Sequence, residues 1–443
     1  MMQKASMASL STSAVENVSL SKKVNWPLLA AVMCTFVNGL VISLLVFPTV
    51  SGPVGLENAG DGWAQNAENI VRGNGFVYNP DQASTFMHGH LKREPAYSLF
   101  LASILVVFGT LEPYMMLFQA LINSATCFVL YFIVSKTLNR QVALVASFSY
   151  ALYPFASWYV PRIAYETLLG FLVALLVLGL VNLFERLSFA RALVVGLLLG
   201  ITVLCKGMYL LFPFALLLGL MIRFGPRDMR VTGCWVTVVV AMLGLLSPWI
   251  VRNYSVSGEF VPATTHGGVN YFLGNDIIKY YSLRVNTAGK LPDEEASRRY
   301  SEIRDAFSSQ NPGLSHAQLE VQVDKKLVRM ALHDIVSHPL PFIEKILKGV
   351  VLVWFLGNTQ LKSTGLFLMQ GPLVILCVIG ILYALKDKKE VLPLLTILVY
   401  FILVQTAFSS YGRYSYPMVP ILIAFAAYSL ERIRCKYVRC LNR

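Results

Sequence analysis

The apolar runs of this 443-residue chain are too long and too many to be hidden in a water-soluble core. Trp26 to Phe47 opens the series, and comparable runs recur toward the C-terminal end with short polar breaks between them. Hydrophobic residues make up 56% and charged residues 14% of the chain, so the expected product is an all-α polytopic membrane protein. The net charge of +13 would otherwise suggest nucleic acid. Here the Lys and Arg residues cluster in short loops between apolar runs, as the positive-inside rule predicts, and no nucleic-acid partner is expected.

The first twenty residues are polar and Ser-rich, and Trp26 to Phe47 has no convincing cleavage site, which reads as a retained helix and not a signal peptide. Cys34, Cys127, Cys205, Cys234 and Cys377 lie in or at the ends of apolar runs, and Cys435 and Cys440 lie in the basic tail. Without a CxxC motif or Cys/His ligand spacing, neither a disulfide framework nor a zinc site is supported.

The run from Ala96 to Gly109, about 14 residues, falls short of the roughly 17 to 25 needed to cross and is assigned to a juxtamembrane or re-entrant helix. That choice puts Lys136 with Arg140, Arg186 with Arg191, Arg223 with Arg227 and Arg230, and Lys386 with Lys388 and Lys389 on the side of Lys22 and Lys23. The expected spans are 26–48, 113–135, 141–160, 165–184, 192–205, 208–222, 231–251, 364–386, 391–410 and 415–431, about ten by the spanning-length criterion. The expected organisation is a cytoplasmic tail (1–25), a transmembrane catalytic module (26–251) with a first outer loop (49–112), an outer-face insert (252–363), C-terminal spans (364–431) and a basic cytoplasmic tail (432–443). The insert reads as mixed. Asp293 to Phe307, opened by Pro292, and His316 to Val336, capped by Ser315, are helical, and Phe342 to Phe355 looks interfacial with Lys345 and Lys348 opposite an apolar stripe. His266 to Asn275 looks strand-like, a stretch able to fold over a site as a lid.

Functional residues gather at one face. In the first loop a helix is expected from about Gly62 to Arg72, with Asp61, Gln65, Glu68 and Arg72 on one side of it. Lys206 interrupts an otherwise uncharged stretch from Ala192 to Ile222, and an ion there is costly without a partner, although snorkelling to the interface would also account for it. His88 and His90 form an HxH pair with the ligand chemistry for a divalent cation, Mg or Mn. No third ligand follows at a fixed spacing, so a metal-free loop is the stronger reading and a divalent cation stays the alternative. Neither a GxGxxG nor a P-loop is present.

Six stretches in order resemble the GT-C superfamily of integral-membrane glycosyltransferases, in its branch of protein mannosyltransferases and lipid A aminoarabinose transferases. They are GDGWAQNAENIVRGNGF, KREPAYSLFLASILVVFG, PRIAYETLLGF, LLLGITVLCKGMYLL, SPWIVRNYSVSGEFVPATTHGGVNYFLGN and RYSYPMVP. Gly62 follows Asp61 where protein mannosyltransferases carry a second acid, and the C-terminal region is shorter than in the aminoarabinose enzymes. The resemblance implies an inverting transfer of a sugar from a polyprenyl-phosphate donor to a lipid, glycan or protein acceptor on the periplasmic face of a bacterial inner membrane. Asp61 would be the base, with helix capping as its rival role. Glu166 would be a second catalytic acid, its rival role being a helix-start carboxylate paired with Arg162. Lys92, Arg93, Lys206, Arg252 and Arg413 would hold the donor phosphate, and Glu68, Tyr97, Arg162, Tyr165, Asn253 and Tyr414 would position substrate. Two other readings remain. A ligase or polymerase of lipid-linked glycans would take a whole glycan, and a lipid or polysaccharide transporter would show inverted repeats, of which none is visible.

Overall fold

The computed structural model describes residues 25–48, 62–76, 89–276, 292–357 and 359–441, and among these the regular elements are helices, with no strand. Helices are what a bilayer demands, because lipid offers no partner to a free backbone N–H or C=O. The first helix, α1 (Trp26–Val41), continues through a π-helical turn, Ile42–Val46. Next come the first-loop helix α2 (Trp63–Val71), the apolar α3 (Pro95–Phe108), the long α4 (Tyr114–Thr137), α5 (Arg140–Leu152) and the single turn α6 (Pro154–Ser157). The bundle goes on with α7 (Glu166–Glu185), α8 (Phe189–Cys205), a 3-10 turn (Gly207–Leu211), α9 (Phe212–Phe224) and α10 (Met229–Ser257). The insert supplies α11 (His266–Asp276), α12 (Pro292–Gln310), α13 (His316–Ser337) and α14 (Pro339–Phe355). The chain closes with α15 (Gln360–Lys386), α16 (Leu392–Ala407), a second 3-10 turn (Gly412–Met418) and α17 (Val419–Leu441).

Six of the ten expected spans meet the length and apolarity needed to cross: Trp26–Val46, Tyr114–Thr137, Glu166–Glu185, Gly207–Phe224, Met229–Ser257 and Gln360–Lys386. Pro95–Phe108, Phe189–Cys205 and Leu392–Ala407 are apolar but shorter. The expected span 141–160 is interrupted, because Pro154 has no N–H to continue α5 and forces Tyr153 into an extended conformation at ψ 111°. The break frees the Ala151 carbonyl, which accepts from Asn38 Nδ2 of α1 at 2.9 Å. Beside it, Tyr150 donates to Asn123 at 2.7 Å and Asn123 to Ser157 at 3.0 Å, so the interruption carries its own polar lining. The described cysteines are unpaired.

α4 packs against α1, α5 and α7, α8 lies between α7 and α10, and α17 packs on α15 and α5. The α8–α10 contact is close in backbone terms. Gly196 and Gly200 form a small-xxx-small pair on α8, and a side-chain carbon at Gly196 would fall 2.6 Å from both the Val238 carbonyl and the Ala241 methyl of α10.

The insert is helical in its described part. The stretch expected as a strand is α11, because Asp324 of α13 accepts the Gly268 N–H at 2.8 Å and the Val269 N–H at 3.3 Å, satisfying donors that open a helix. Val269 and Phe272 then join Tyr300, Val323, Leu327 and Ala331 in a small core of the insert's own. The Ser315 cap is a full capping box with Gln318. Lys345 departs from its expected place on a polar face. It turns inward and donates to the Ala407 and Phe408 carbonyls at 2.9 and 3.0 Å, where α16 ends, while Lys348 pairs with Glu344 on the exposed side.

Forcing α8 and α10 apart should cost about 1–3 kcal/mol, the usual range for overpacking. Gly196→Leu is therefore expected to lower the thermal midpoint of the purified protein. Gly244→Leu, whose added carbon meets nothing within 4 Å, should barely move it. Equal midpoints for the two variants would remove the close helix contact as a source of stability.

Candidate active site

The site is built around one buried ring. Gly62, at φ 77°, makes the left-handed turn that starts α2, and the first residue of that helix, Trp63, is only 2% exposed. Its indole meets Tyr97 of α3 and Tyr165 before α7 edge to face, with centroids 5.8 and 5.3 Å apart, and the Arg93 guanidinium lies 4.3 Å from its centre. Asp61, the residue before Gly62, lies outside the described residues, as does His88. Farther along the same helix Glu68 pairs with Arg72 at 3.4 Å on an exposed face. Such a pair is worth little and is kept apart from the ring cluster by exposure.

Glu166 opens α7, where the helix dipole favours a carboxylate, and it is 1% exposed. Its partner is Arg413 and not the expected Arg162. The Arg413 Nε donates to Glu166 Oε1, while Oε2 is buried without a hydrogen-bond partner. Arg413 also stands 5.9 Å from the Tyr165 ring and 6.0 Å from that of Tyr159. Tyr414 follows it in the same 3-10 turn, its N–H donating to the Tyr411 carbonyl at 3.0 Å. On another side of Tyr165 lies Lys206, its Nζ 4.8 Å from the ring centre, where α8 has ended and a 3-10 turn begins. Arg93, Lys206 and Arg413 thus converge on two adjoining rings.

Two residues here went unnoticed in the sequence. Glu94 is buried, and its Oε1 accepts the Gly207 N–H at 2.8 Å, fastening the start of α3 to the Lys206 turn. His266, the first residue of α11, is held well below the usual histidine range by burial, with Arg93, Lys206 and Lys92 pushing the same way. Glu94 stood in the KREP motif between cations and a proline that drew the attention; nothing in spacing marked His266.

The other expected site residues make well-defined contacts of their own. Tyr97, 1% exposed, accepts the Ala164 N–H at 2.8 Å, while Gln119 donates to the Arg162 carbonyl at 2.8 Å, so both shape the turn before α7. Arg252 donates to the His90 carbonyl at 2.9 Å and to that of Phe76, and Asn253 donates to the Val261 carbonyl at 3.0 Å, so the end of α10 gathers the loops around it. Lys92 is buried with its Nζ 4.9 Å from the Tyr300 ring. Burial works against its charge, yet Tyr300, Glu320 and Asp324 outweigh that and hold its pKa above the usual value. Glu320 also accepts the N–H groups of His90 and Leu91 at 2.8 and 3.0 Å, so α13 clamps the first loop. Among the described residues no three His, Cys, Asp or Glu side chains gather to hold a metal ion.

Two outcomes follow from these pairings. Arg413→Ala leaves the Glu166 carboxylate buried and uncompensated, and should cost about 2–3 kcal/mol, the low side for a broken buried pair because Arg413 is partly exposed. Glu166→Gln should cost clearly less; thermal unfolding that ranks them the other way would count against the pair as a stabilising contact. In the clamp, burial pushes Asp324 up to about 6 against the attraction of Lys92 and two N–H groups. Between roughly pH 4 and 6 the folded chain keeps a proton that the unfolded chain has lost, so this group's share of stability falls as pH rises. His90 acts oppositely, since burial lowers its pKa and protonation below about pH 6.5 favours the unfolded chain. Asp324→Asn should therefore gain stability relative to wild type as pH is raised from about 4 to 6, and a flat difference would show that Asp324 does not titrate there.

Residues 92–251 match the family model for dolichyl-phosphate-mannose-protein mannosyltransferase. No curated protein matches the chain. Among solved structures, the apo oligosaccharyltransferase of Archaeoglobus fulgidus is similar at a TM-score of 0.59 and 16% identity, covering 95% of this chain and 52% of that one. The oligosaccharyltransferase AglB of the same organism, in complex with an inhibitory peptide and a dolichol-phosphate, is similar at 0.57 and 14%, covering 94% and 51%. A form tethered to an acceptor peptide with the NVT sequon gives 0.58 and 14%, covering 94% and 50%. The chain spans about half the length of these structures, and at such identities the likeness is one of fold. With its apolar helices and the matching stretch, the chain is a multi-pass membrane protein of the GT-C fold.

Proposed function

We propose that the protein moves a sugar from a polyprenyl-phosphate-linked donor to an acceptor hydroxyl on the periplasmic face of a bacterial inner membrane, with inversion at the anomeric carbon. The observation that carries this is the convergence of Arg93, Lys206 and Arg413 on the rings of Trp63 and Tyr165, next in sequence and space to the helix that Asp61 precedes. The Lys206 ammonium makes no hydrogen bond or ion pair among the described residues, so it is available to meet an anion. An unpaired cation in an apolar bundle is costly, and a phosphate supplies the missing charge.

In the step envisaged, Asp61 takes the proton of the acceptor hydroxyl while its oxygen forms the bond to the anomeric carbon. The bond from that carbon to the donor phosphate oxygen breaks, and the electron pair leaves with the polyprenyl phosphate. Lys206 and Arg93 would offset the charge growing on that oxygen. The buried Trp63 and Tyr165 rings would act as the wall that holds these cations in place. Glu166 would orient Arg413 toward the same phosphate and keep the turn before α7 in place.

Radiolabelled sugar transfer from synthetic polyprenyl-phosphate donors, by the full chain in nanodiscs, tests this. Asp61→Asn should lose about 10²–10⁴-fold in rate, and Lys206→Met about 10²-fold with a normal fold. Activity that survives chelator removes any need for Mg or Mn. A fully active Asp61→Asn variant would sink the assignment of the base. Transfer only from a lipid-linked oligosaccharide would replace the monosaccharide donor with a glycan, and no transfer from either, with the fold intact, would refute the activity.

A further inference from the structure

Among the described residues Arg162 is a second cation without an ion pair, and the rings it touches, Phe47, Trp158 and Tyr159, are different from the Tyr165 ring that carries Lys206. Its backbone is fixed on three sides: its N–H donates to the Tyr159 carbonyl at 3.2 Å, and its carbonyl accepts from Gln119 Nε2 and from the Ala164 N–H, each at 2.8 Å. Its guanidinium is packed among Phe47 at 4.9 Å and Trp158 and Tyr159 at 5.6 Å each. The Nε is buried without a hydrogen-bond partner, and no side-chain hydrogen bond or ion pair is made by this arginine among the described residues. The carboxylate one turn away that could have neutralised it, Glu166, is bound to Arg413 instead.

An arginine presents a planar fork of donors suited to a two-oxygen anion, and rings packed around it strip away its water without satisfying its N–H groups. Leaving the buried Nε unmet is unfavourable unless a ligand arrives to meet it, and the terminal N–H groups beside it complete the fork. The rings are ordered in space. Tyr165 carries Lys206, Arg413 stands between Tyr165 and Tyr159, and Arg162 lies beyond Tyr159 toward Phe47 at the end of α1. In an in-line displacement the leaving phosphate and the incoming hydroxyl approach the anomeric carbon from opposite sides, so two separated cations suit two different substrates.

We infer that Arg162 binds an oxyanion, a phosphate or carboxylate, carried by the acceptor, which makes the acceptor an acidic molecule. The word acceptor rests on the glycosyltransferase reading; the anion site does not.

Native mass spectrometry of the full chain, released from detergent with saturating decaprenyl phosphate, gives the test. The probe is dioctanoyl phosphatidylglycerol, which joins a hydroxyl and a phosphodiester in one headgroup, with glycerol phosphate as its chain-free counterpart. Wild type should hold the probe and decaprenyl phosphate together. Arg162→Gln should lose the probe about ten- to a hundredfold, the value of a charge-assisted hydrogen-bond pair, and keep decaprenyl phosphate. Arg162→Lys, which preserves charge and guards against a folding defect in the first variant, should keep part of the binding. Retention of glycerol phosphate as well as the lipid would support a soluble acidic acceptor, and retention of the lipid alone a membrane-borne one. Equal retention of the probe by wild type and Arg162→Gln, no retention by wild type, or mutual displacement of probe and decaprenyl phosphate would overturn the proposal. A normal binding pattern with no sugar transfer would refute the activity alone.

Discussion

The indole of Trp63 is the piece on which the outer end of the bundle depends, because it is the surface where three otherwise separate elements meet. It brings the first-loop helix onto Tyr97 of α3 and onto Tyr165, the residue before α7, and it lies under the Arg93 guanidinium. A large ring buried at a helix start is a strong hydrophobic contribution and a rigid one, with two side-chain torsions to fix. Remove the ring and neither Arg93 nor Tyr165 has a wall to lean on. Lys206 is one step further out, since it uses Tyr165 as its own platform. Charge placement at this face is thus a packing problem before it is an electrostatic one.

Two kinds of polar contact hold the region, and they differ in what they leave over. Around α13 the charges are balanced: Glu320 takes two backbone N–H groups, Asp324 takes two more, and the buried Lys92 ammonium, without a hydrogen-bond partner among the described residues, is offset by the attraction of both carboxylates and lies against Tyr300. Such an arrangement fastens the insert to the first loop. Around Tyr159 and Tyr165 the described carboxylates Glu94 and Glu166 face the cations Arg413, Arg162 and Lys206, and both are already engaged, Glu166 by Arg413 and Glu94 by the Gly207 N–H. Matched polar groups are the usual condition of a protein interior, and an imbalance persists where something outside the chain restores it.

How much of this could be read in advance depended on range along the chain. Run length and loop charge marked the apolar helices, and a local Ser315–Gln318 box marked the start of α13, because both signals are contained in a few neighbouring residues. The helix α11 was missed: a sequence with two glycines and aromatic residues has weak intrinsic preference, and the decisive cap comes from Asp324, more than fifty positions later. The partner of Glu166 was missed for the same reason, since Arg413 arrives from the far end of the chain while Arg162 was the neighbour in sequence. Lys345 looked like one member of a charged face, and only the arrival of the α16 carbonyls beneath it explains why it turns inward. Lys206 stood out in the sequence by its isolation among apolar residues, whereas the ring it leans on did not.

The length of α10 sets a height. Its 29 residues, at 1.5 Å each, reach about 43 Å, well beyond a hydrocarbon layer of about 30 Å. The excess at its C-terminal end carries Trp249, whose Nε1 donates to the Ala263 carbonyl, and Arg252, tied to the first loop. Both residue types suit the headgroup zone, and through them the far end of this helix is fastened to the loops beside the insert. A helix that outreaches the hydrocarbon can tilt to meet a membrane of different thickness, and the loops tied to its end would tilt with it.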